Sequence, residues 1–179
     1  MKQITAFMAA TLTLLPLSSA PALQPLPRLV SSSHHGEAAI TLALYNPHYP
    51  ENEADAANAL AADVNAERAK RGIPALQRDD TLDRFAYAKA VEMAARGYFG
   101  HTDPNGVSFY DRLAAWHMAG TYAGENIAFD YDEPRAHAAF MNSPPHAQNV
   151  LDANEHKLGV AVVTVGNDET FYVEDFSGK

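Results

Sequence analysis

The stretch Leu158-Gly159-Val160-Ala161-Val162-Val163-Thr164-Val165 decides the fold class of this chain. It is rich in β-branched residues and long enough for a buried β-strand. Gly166-Asn167-Asp168 then supplies a turn, and residues 170–176 alternate well enough to form a second strand. The end of the chain is therefore predicted to be an antiparallel β-hairpin.

Upstream of the hairpin, apolar residues recur with the period of α-helices instead. The pattern predicts helices at 55–71, at 82–96, from Ser108 onward, at 134–142 and from Ser143 onward. Gly72 and Gly97 follow two of these stretches as helix stops. Helices first and a hairpin last are typical of the α+β class, with helices layered on an antiparallel sheet.

Residues 1–22 have the pattern of a secretory signal peptide. Lys2 precedes an apolar run from Ile4 to Leu17, and small residues follow at a cleavage site, after Ala20 or after Ala22. The alternative is an N-terminal membrane helix, but the run is shorter than the ~20 apolar residues that a bilayer requires. We therefore expect a secreted or periplasmic protein, with no transmembrane anchor after signal cleavage.

Residues 23–53 are predicted to be a flexible linker, because they are rich in proline and serine and carry at most one short strand or helix, at 38–45. His34 and His35 in this segment could bind a metal ion, although paired histidines in a serine-rich linker are usually solvated. The folded domain is then expected at residues 54–179.

The composition excludes several classes of chemistry. The chain has no cysteine, so disulfides, thiol nucleophiles and cysteine-ligated zinc sites are impossible. Its formal net charge is −9, and an acidic surface repels phosphate backbones, so we expect no nucleic-acid partner. We expect the protein to be a monomer.

Three polar, turn-rich phrases each place an ionisable side chain beside a residue that interrupts regular backbone structure. Loops and helix starts present side chains to clefts in this way. The phrases are 100–106 with His101, 124–128 with Glu125, and 143–149 with His146.

His146 has the clearest local prediction. Ser143 is a good helix N-cap and Pro144 suits the first helical position, which places His146 in the first turn. A helix N-terminus disfavours imidazolium, so this histidine is predicted to be neutral near pH 7, able to ligate a metal or accept a proton. The alternative is a histidine that only caps or packs.

His101 and Glu125 each have two interpretations. His101 lies at the start of a turn and is either directed over an apolar floor or simply exposed. Glu125 heads a short apolar segment and is either directed inward or solvated. Together with His146 they match the ligand set of an open zinc site, which has three protein ligands and a water.

The chain from Leu60 to Phe176 resembles the CAP superfamily, also called SCP-like, of cysteine-rich secretory, antigen and pathogenesis-related proteins. The match is closest to the short bacterial branch. The resemblance is carried, in order, by 64–68, 101–106, 111–113, 124–128, 141–151, 158–160 and 173–176.

The resemblance implies an α-β-α sandwich with a central antiparallel sheet and an open cleft. The cleft of the family has two histidines and two acidic residues, and the residues that match are His101, His146 and Glu125. The second acidic position falls near Ser143, which departs from the pattern, and Asp175 is a candidate replacement. This departure weakens a mechanism with two carboxylates but leaves a three-ligand metal site intact.

We assign the cleft to His101, Glu125, Asn126, Ser143 and His146, and a zinc site to the two histidines with Glu125. The favoured function is binding of a small apolar or envelope-derived ligand, and we assign no catalytic residue. One alternative is a zinc-assisted hydrolase with Glu125 as base. The chain lacks the HExxH and GxSxG motifs of common hydrolases, which favours binding. Another alternative is a non-catalytic interaction protein of the envelope.

Overall fold

A computed structural model describes residues 51–119, 123–130, 132–165 and 169–178. The predicted signal peptide, the linker up to residue 50 with its two histidines, and the turn at 166–168 lie outside the described residues. Residues 51–53, assigned to the linker from the sequence, form the start of the first helix.

The described residues form five helices and four strands. In chain order they are α1 (Glu51–Lys70), β1 (Gln77–Arg78), α2 (Asp80–Arg96), α3 (Phe109–Ala115), β2 (Ala123–Asp130), α4 (Glu133–Asn142), α5 (Pro144–Leu151), β3 (Lys157–Val165) and β4 (Glu169–Ser177). The five predicted helices and the terminal hairpin are confirmed, whereas β1 and β2 were not predicted. Within the described ranges, no helix has both the length and the apolar character to cross a membrane.

The four strands form one sheet in the order β1-β3-β4-β2. β3 pairs antiparallel with β4, and β4 pairs antiparallel with β2, as expected for this class. The two-residue β1 pairs parallel with β3, so the sheet is mixed rather than wholly antiparallel. β2 lies at the other edge of the sheet, and this edge carries the candidate site.

Helices cover both faces of the sheet, because alternate residues of a strand point to opposite faces. Tyr172 and Phe176 of β4 pack in one cluster with apolar residues of α1, α4 and α5. Phe171 and Val173 of the same strand pack in a second cluster with residues of α2. This arrangement is the α-β-α sandwich that the resemblance implied.

The N-terminal end of α2 is fixed tightly against the sheet. The Asp79 side chain caps the helix by accepting hydrogen bonds from the amides of Thr81 and Leu82. A side chain at Gly159 of β3 would overlap the backbone of Leu82, so only glycine permits this approach. The amide of Val160 donates to Asp83 at 2.8 Å and adds a second tie between helix and strand.

Arg68 of α1 holds together three separate parts of the chain. Its guanidinium is fully buried and donates hydrogen bonds to the backbone carbonyls of Pro74, Val150, Asp152 and Glu155, at 2.7–3.2 Å. A buried charge is tolerated when hydrogen bonds satisfy it in this way. The C-terminal end of α5 is thereby fastened to α1.

α5 is also fastened to β2, through the side chain of Asn126. Its amide nitrogen donates to Glu174 of β4 at 2.8 Å and to the carbonyl of His146 at 3.2 Å. Its amide oxygen accepts a hydrogen bond from Asn149 of α5 at 2.8 Å. A Cβ atom at Gly124 would lie 2.8 Å from the Asn149 side chain, so glycine allows the helix to come this close.

We expect Arg68→Ala to lower the free energy of unfolding by about 3 kcal/mol, because it leaves several buried carbonyl groups without a donor. Chemical denaturation followed by circular dichroism measures this loss. Arg71→Ala is the matched control, since Arg71 is exposed, lies directly after α1 and pairs with Glu67 one turn earlier in the chain. Equal stability of the two variants would contradict the assigned role of Arg68.

We expect Glu174→Gln to change how stability depends on pH. Burial raises the pKa of Glu174 to about 8, so the folded protein keeps its proton where the unfolded chain, with a pKa of 4.5, has lost it. The contribution of Glu174 to stability is therefore present below pH 4.5 and is lost as pH rises towards 8. The stability advantage of the glutamine variant should grow by up to about 1.4 kcal/mol per pH unit over this window.

Denaturant titrations at pH 5, 6, 7 and 8 measure that trend. Glu67→Gln is the control, because Lys70 and Arg71 lower the pKa of Glu67 to about 2, so its ionisation does not change in this range. A pH-independent difference between wild type and Glu174→Gln would show that Glu174 is not protonated in the folded state.

Candidate functional site

The candidate site is built on two consecutive residues of the edge strand β2. The side chain of Glu125 lies on the α2 face and bonds to His101. The side chain of Asn126 lies on the opposite face and bonds to the backbone of His146. Adjacent residues of a strand point to opposite faces of the sheet. Two neighbouring residues of β2 therefore contact both histidine segments, the turn after α2 and the start of α5.

The carboxylate of Glu125 is buried and fully engaged. Oε1 lies 2.9 Å from Nδ1 of His101, and Oε2 accepts a hydrogen bond from Nη2 of Arg112. The guanidinium of Arg112 lies against two aromatic rings, with centroids 5.2 Å away for Phe85 and 5.9 Å for Phe109. Of the two interpretations of Glu125, the inward-directed one is confirmed.

His101 is the exposed member of the site. Its side chain is 47% exposed, compared with 2% for Glu125. Since a carboxylate paired with arginine accepts hydrogen bonds, we assign the N–H to Nδ1 of His101, which donates a hydrogen bond to Glu125. In the neutral ring this tautomer has its lone pair on Nε2, the form of imidazole that binds a metal ion or accepts a proton.

The turn that follows His101 is stabilised by Asp103. Its Oδ1 accepts hydrogen bonds from the backbone amides of Asn105 and Val107, both at 2.8 Å, and its Oδ2 pairs with Arg96. Gly106 has a φ angle of 89°, which glycine adopts without strain. The predicted turn is thus bonded to α2 through Arg96. Its neighbour His101 is held both by this turn and by the bond to Glu125.

His146 lies in the first turn of α5, as predicted, with Ser143 as the N-cap residue. Its ring packs edge-to-face on Phe140, with the ring centroids 5.5 Å apart. Burial lowers the pKa of His146, and the nearby His101 lowers it further. The prediction of a neutral imidazole agrees with this direction, although the physical causes are burial and the second histidine.

The other two predicted cleft residues have supporting positions. Asn126 is completely buried on the α5 face, where it fixes the backbone of His146. Ser143 lies at the junction of α4 and α5 and occupies the N-cap position, but its side chain makes no capping hydrogen bond.

The candidate metal ligands at this site are imidazole nitrogens. They are Nε2 of a neutral His101 ring and the ring of His146, whose pKa is lowered, whereas both oxygens of Glu125 are already engaged. Across the residues described, no group of three or more His, Asp or Glu side chains is arranged to hold a metal ion together. Glu125 therefore has the geometry of a residue that orients His101, as carboxylates do in the outer shell of metal sites.

A buried charged cluster behind the site was not predicted from the sequence, apart from Asp175. Asp175 lies directly opposite Glu125 in the sheet and is 1% exposed. Lys89 of α2 is equally buried and donates to the hydroxyl of Tyr98 at 3.0 Å. Arg112 lies three residues after Phe109, a spacing that places both on one helix face.

An aromatic surface, formed by Phe99, Phe129 and Phe171, lies further along β2 on the same face as Glu125. Phe129 is 42% exposed and Phe99 is 55% exposed. Both rings pack on the buried Phe171, with centroid separations of 4.6 Å and 6.4 Å. Phe129 lies four residues after Glu125 on the strand, which is about 13 Å along the sheet edge.

Comparison with known proteins identifies the family. The chain matches the CAP model, described as the cysteine-rich secretory protein family, over residues 61–176. It is 37% identical to the uncharacterized protein YkwD of Bacillus subtilis over 117 residues, which is 65% of this chain and 44% of YkwD. It is 32% identical to the uncharacterized membrane protein YlbC of the same organism over 114 residues, 63% of this chain and 32% of YlbC. The chain thus spans less than half the length of these relatives.

Solved structures show the same fold. An extracellular protein of Bacillus anthracis that contains an SCP domain superposes with a TM-score of 0.65 at 28% identity, over 75% of this chain and 45% of that protein. An outer surface protein of Borrelia burgdorferi superposes with a TM-score of 0.64 at 21% identity, over 69% of this chain and 92% of that protein. The chain therefore belongs to the CAP family of cysteine-rich secretory proteins, although it contains no cysteine.

Proposed function

We propose that this protein is a secreted binding domain whose cleft captures a small amphipathic ligand derived from the cell envelope. The main support for this proposal is the way in which β2 positions the two histidines. Glu125 bonds to the ring of His101 on one face of the strand, and Asn126 bonds to the backbone of His146 on the other. The polar group of the ligand binds at the histidines. Its apolar part lies on Phe99 and Phe129.

An extracytoplasmic location is part of this proposal. The first 22 residues have the pattern of a signal peptide, and a structural relative with 28% identity is described as extracellular. One sequence relative is described as a membrane protein, but the match covers 32% of its length. An envelope-derived ligand is consistent with such a location.

We further propose that the cleft binds zinc through His101 and His146, with Glu125 in an outer-shell role. Neutral imidazole nitrogens are typical zinc ligands, and a carboxylate commonly accepts a hydrogen bond from the other ring nitrogen. Bound zinc would supply a Lewis acid that holds an anionic or carbonyl group of the ligand. This arrangement requires no catalytic base.

Binding is favoured over hydrolysis by the state of Glu125. A general base must reach the proton that it removes, directly or through one water. Glu125 is 2% exposed and both its oxygens are bonded, to His101 and to Arg112. It is therefore poorly placed to activate a water molecule in the cleft.

Zinc uptake tests the metal site. We expect the full chain to bind one zinc ion, and His101→Ala combined with His146→Ala to weaken uptake more than about 100-fold, since outer-shell changes alone cost 10- to 100-fold. Isothermal titration calorimetry measures both affinities. All proteins should carry His34→Ala and His35→Ala, so that the signal comes from the cleft.

Two further variants sharpen this experiment. His156→Ala is the control, because His156 is exposed and lies outside the cleft, and it should bind zinc like the parent chain. Glu125→Gln should weaken binding by about 10- to 100-fold without abolishing it, as expected for an outer-shell residue. Undiminished uptake by the double histidine variant would refute the zinc proposal.

An amphipathic dye tests the apolar part of the cleft. Anilinonaphthalene sulfonate joins an apolar ring system to an anionic group, and its fluorescence rises on binding. We expect Phe99→Ser with Phe129→Ser to weaken its binding about tenfold, the loss of about 1.4 kcal/mol of apolar contact. Tyr110→Ser is the control, since Tyr110 is 69% exposed and packs on Phe109 instead. Equal weakening by both changes would contradict the assigned surface.

A further inference from the structure

Asp175 and Arg112 both bury polar atoms that find no partner in the described part of the chain. The unpartnered atoms are Oδ1 and Oδ2 of Asp175, and Nε and Nη1 of Arg112. A carboxyl group and a guanidinium group are complementary hydrogen-bonding groups. Such groups are rarely left unbonded in folded proteins, and ordered water commonly bonds those that the protein itself does not reach.

The two side chains belong to one enclosed cluster. Asp175 lies opposite Glu125 on one side and opposite Gly159 on the other, where the first turn of α2 covers the sheet. The pKa of Asp175 is raised well above its ordinary value, because burial and the neighbouring Glu125 outweigh the opposing effects of Arg112 and Lys89, so all three charged groups act on this carboxyl group. Asp175 and Lys89 are each 1% exposed, and the Arg112 side chain is 13% exposed, so the Asp175 side of the cluster is shielded from bulk solvent.

Arg112 occupies the centre of this arrangement. One of its nitrogens, Nη2, holds Glu125, and Glu125 in turn holds His101. Phe85 and Phe109 restrict the guanidinium, while Nε and Nη1 are free to bond on the buried side. Whatever fixes these two nitrogens also fixes the angle at which Glu125 meets His101.

We propose that a buried water site between the carboxyl group of Asp175 and the guanidinium of Arg112 makes Asp175 a positioning residue for His101. Water bonded to both groups completes a chain from Asp175 through Arg112 and Glu125 to Nδ1 of His101. This chain keeps the proton of His101 on Nδ1 and directs Nε2 to the cleft. The proposal depends on the role of His101 in the proposed function, and it assigns no acid–base step to Asp175.

Nitrogen NMR of the histidine rings tests this chain without any metal. In the wild-type protein, at a pH at which the His101 ring is neutral, this ring should show a protonated Nδ1 and an unprotonated Nε2. Asp175→Leu removes the carboxyl oxygens while keeping the branched shape and the number of side-chain heavy atoms, and His101 should then populate both tautomers. Asp175→Asn keeps one acceptor oxygen and should restore the wild-type pattern. A wild-type pattern in Asp175→Leu, or equal damage in both variants, would overturn the proposal.

The ring signals of His146 are the internal control that distinguishes a specific effect on His101 from a general loss of structure. It is held by Asn126 on the opposite face of the sheet, so its ring signals should be unchanged in Asp175→Leu. Changes of equal size at both histidines would indicate a loss of structure and would contradict a specific role. If wild type binds zinc, Asp175→Leu should weaken it about tenfold, the low end for an outer-shell residue. If wild type takes up no zinc, the metal proposal fails while the tautomer measurement still decides this one.

A crystal structure of the wild-type protein gives a test that needs no variant. Electron density for a water is expected at 2.7–3.2 Å from both an Asp175 oxygen and Nε or Nη1 of Arg112, the range of ordinary hydrogen bonds. A direct Asp175–Arg112 ion pair, or a bound anion such as chloride in that place, would contradict the water site.

Discussion

The site depends on the alternation of two buried polar side chains on an edge strand. Glu125 points to the α2 layer and Asn126 points to the α5 layer. The polar atoms of both side chains are hydrogen-bonded to residues from other parts of the chain. Leaving either group unpaired in the core would cost far more free energy than a paired group contributes. The two helical layers are therefore held in register by the same residues that place the histidines.

A domain without cysteine must obtain this precision from its core. Here the apolar clusters on both faces of the sheet are supplemented by buried ionisable groups, among them Arg68, Lys89, Glu174 and Asp175. Where such a group is charged, desolvation offsets much of the free energy that it gains from its partners, so its main effect is to fix a geometry. Arg68 is the clearest case, since its guanidinium links α1 to the end of α5 through hydrogen bonds to backbone carbonyls.

The two histidines have different physical characters, which suits a binding site. His101 is half exposed and fixed by a carboxylate, whereas His146 is shielded by Phe140 and kept neutral by burial. The exposed aromatic rings of Phe99 and Phe129 extend the same face by about 13 Å, so polar and apolar contacts are available along one edge. The amphipathic ligand that we propose, with a polar head and an apolar body, follows from this distribution.

Local sequence alone determined the helices, their caps and the terminal hairpin, because those features depend on periodicity and on neighbours a few residues away. It also singled out His101, Glu125 and His146, since each stands beside glycine, proline or an N-cap residue. Only the tertiary structure decided that Glu125 lies on a strand, that Arg112 shares it with His101, and that Asp175 stands opposite. These relations join residues far apart in the chain, and no local pattern encodes which of many charged side chains becomes buried beside another.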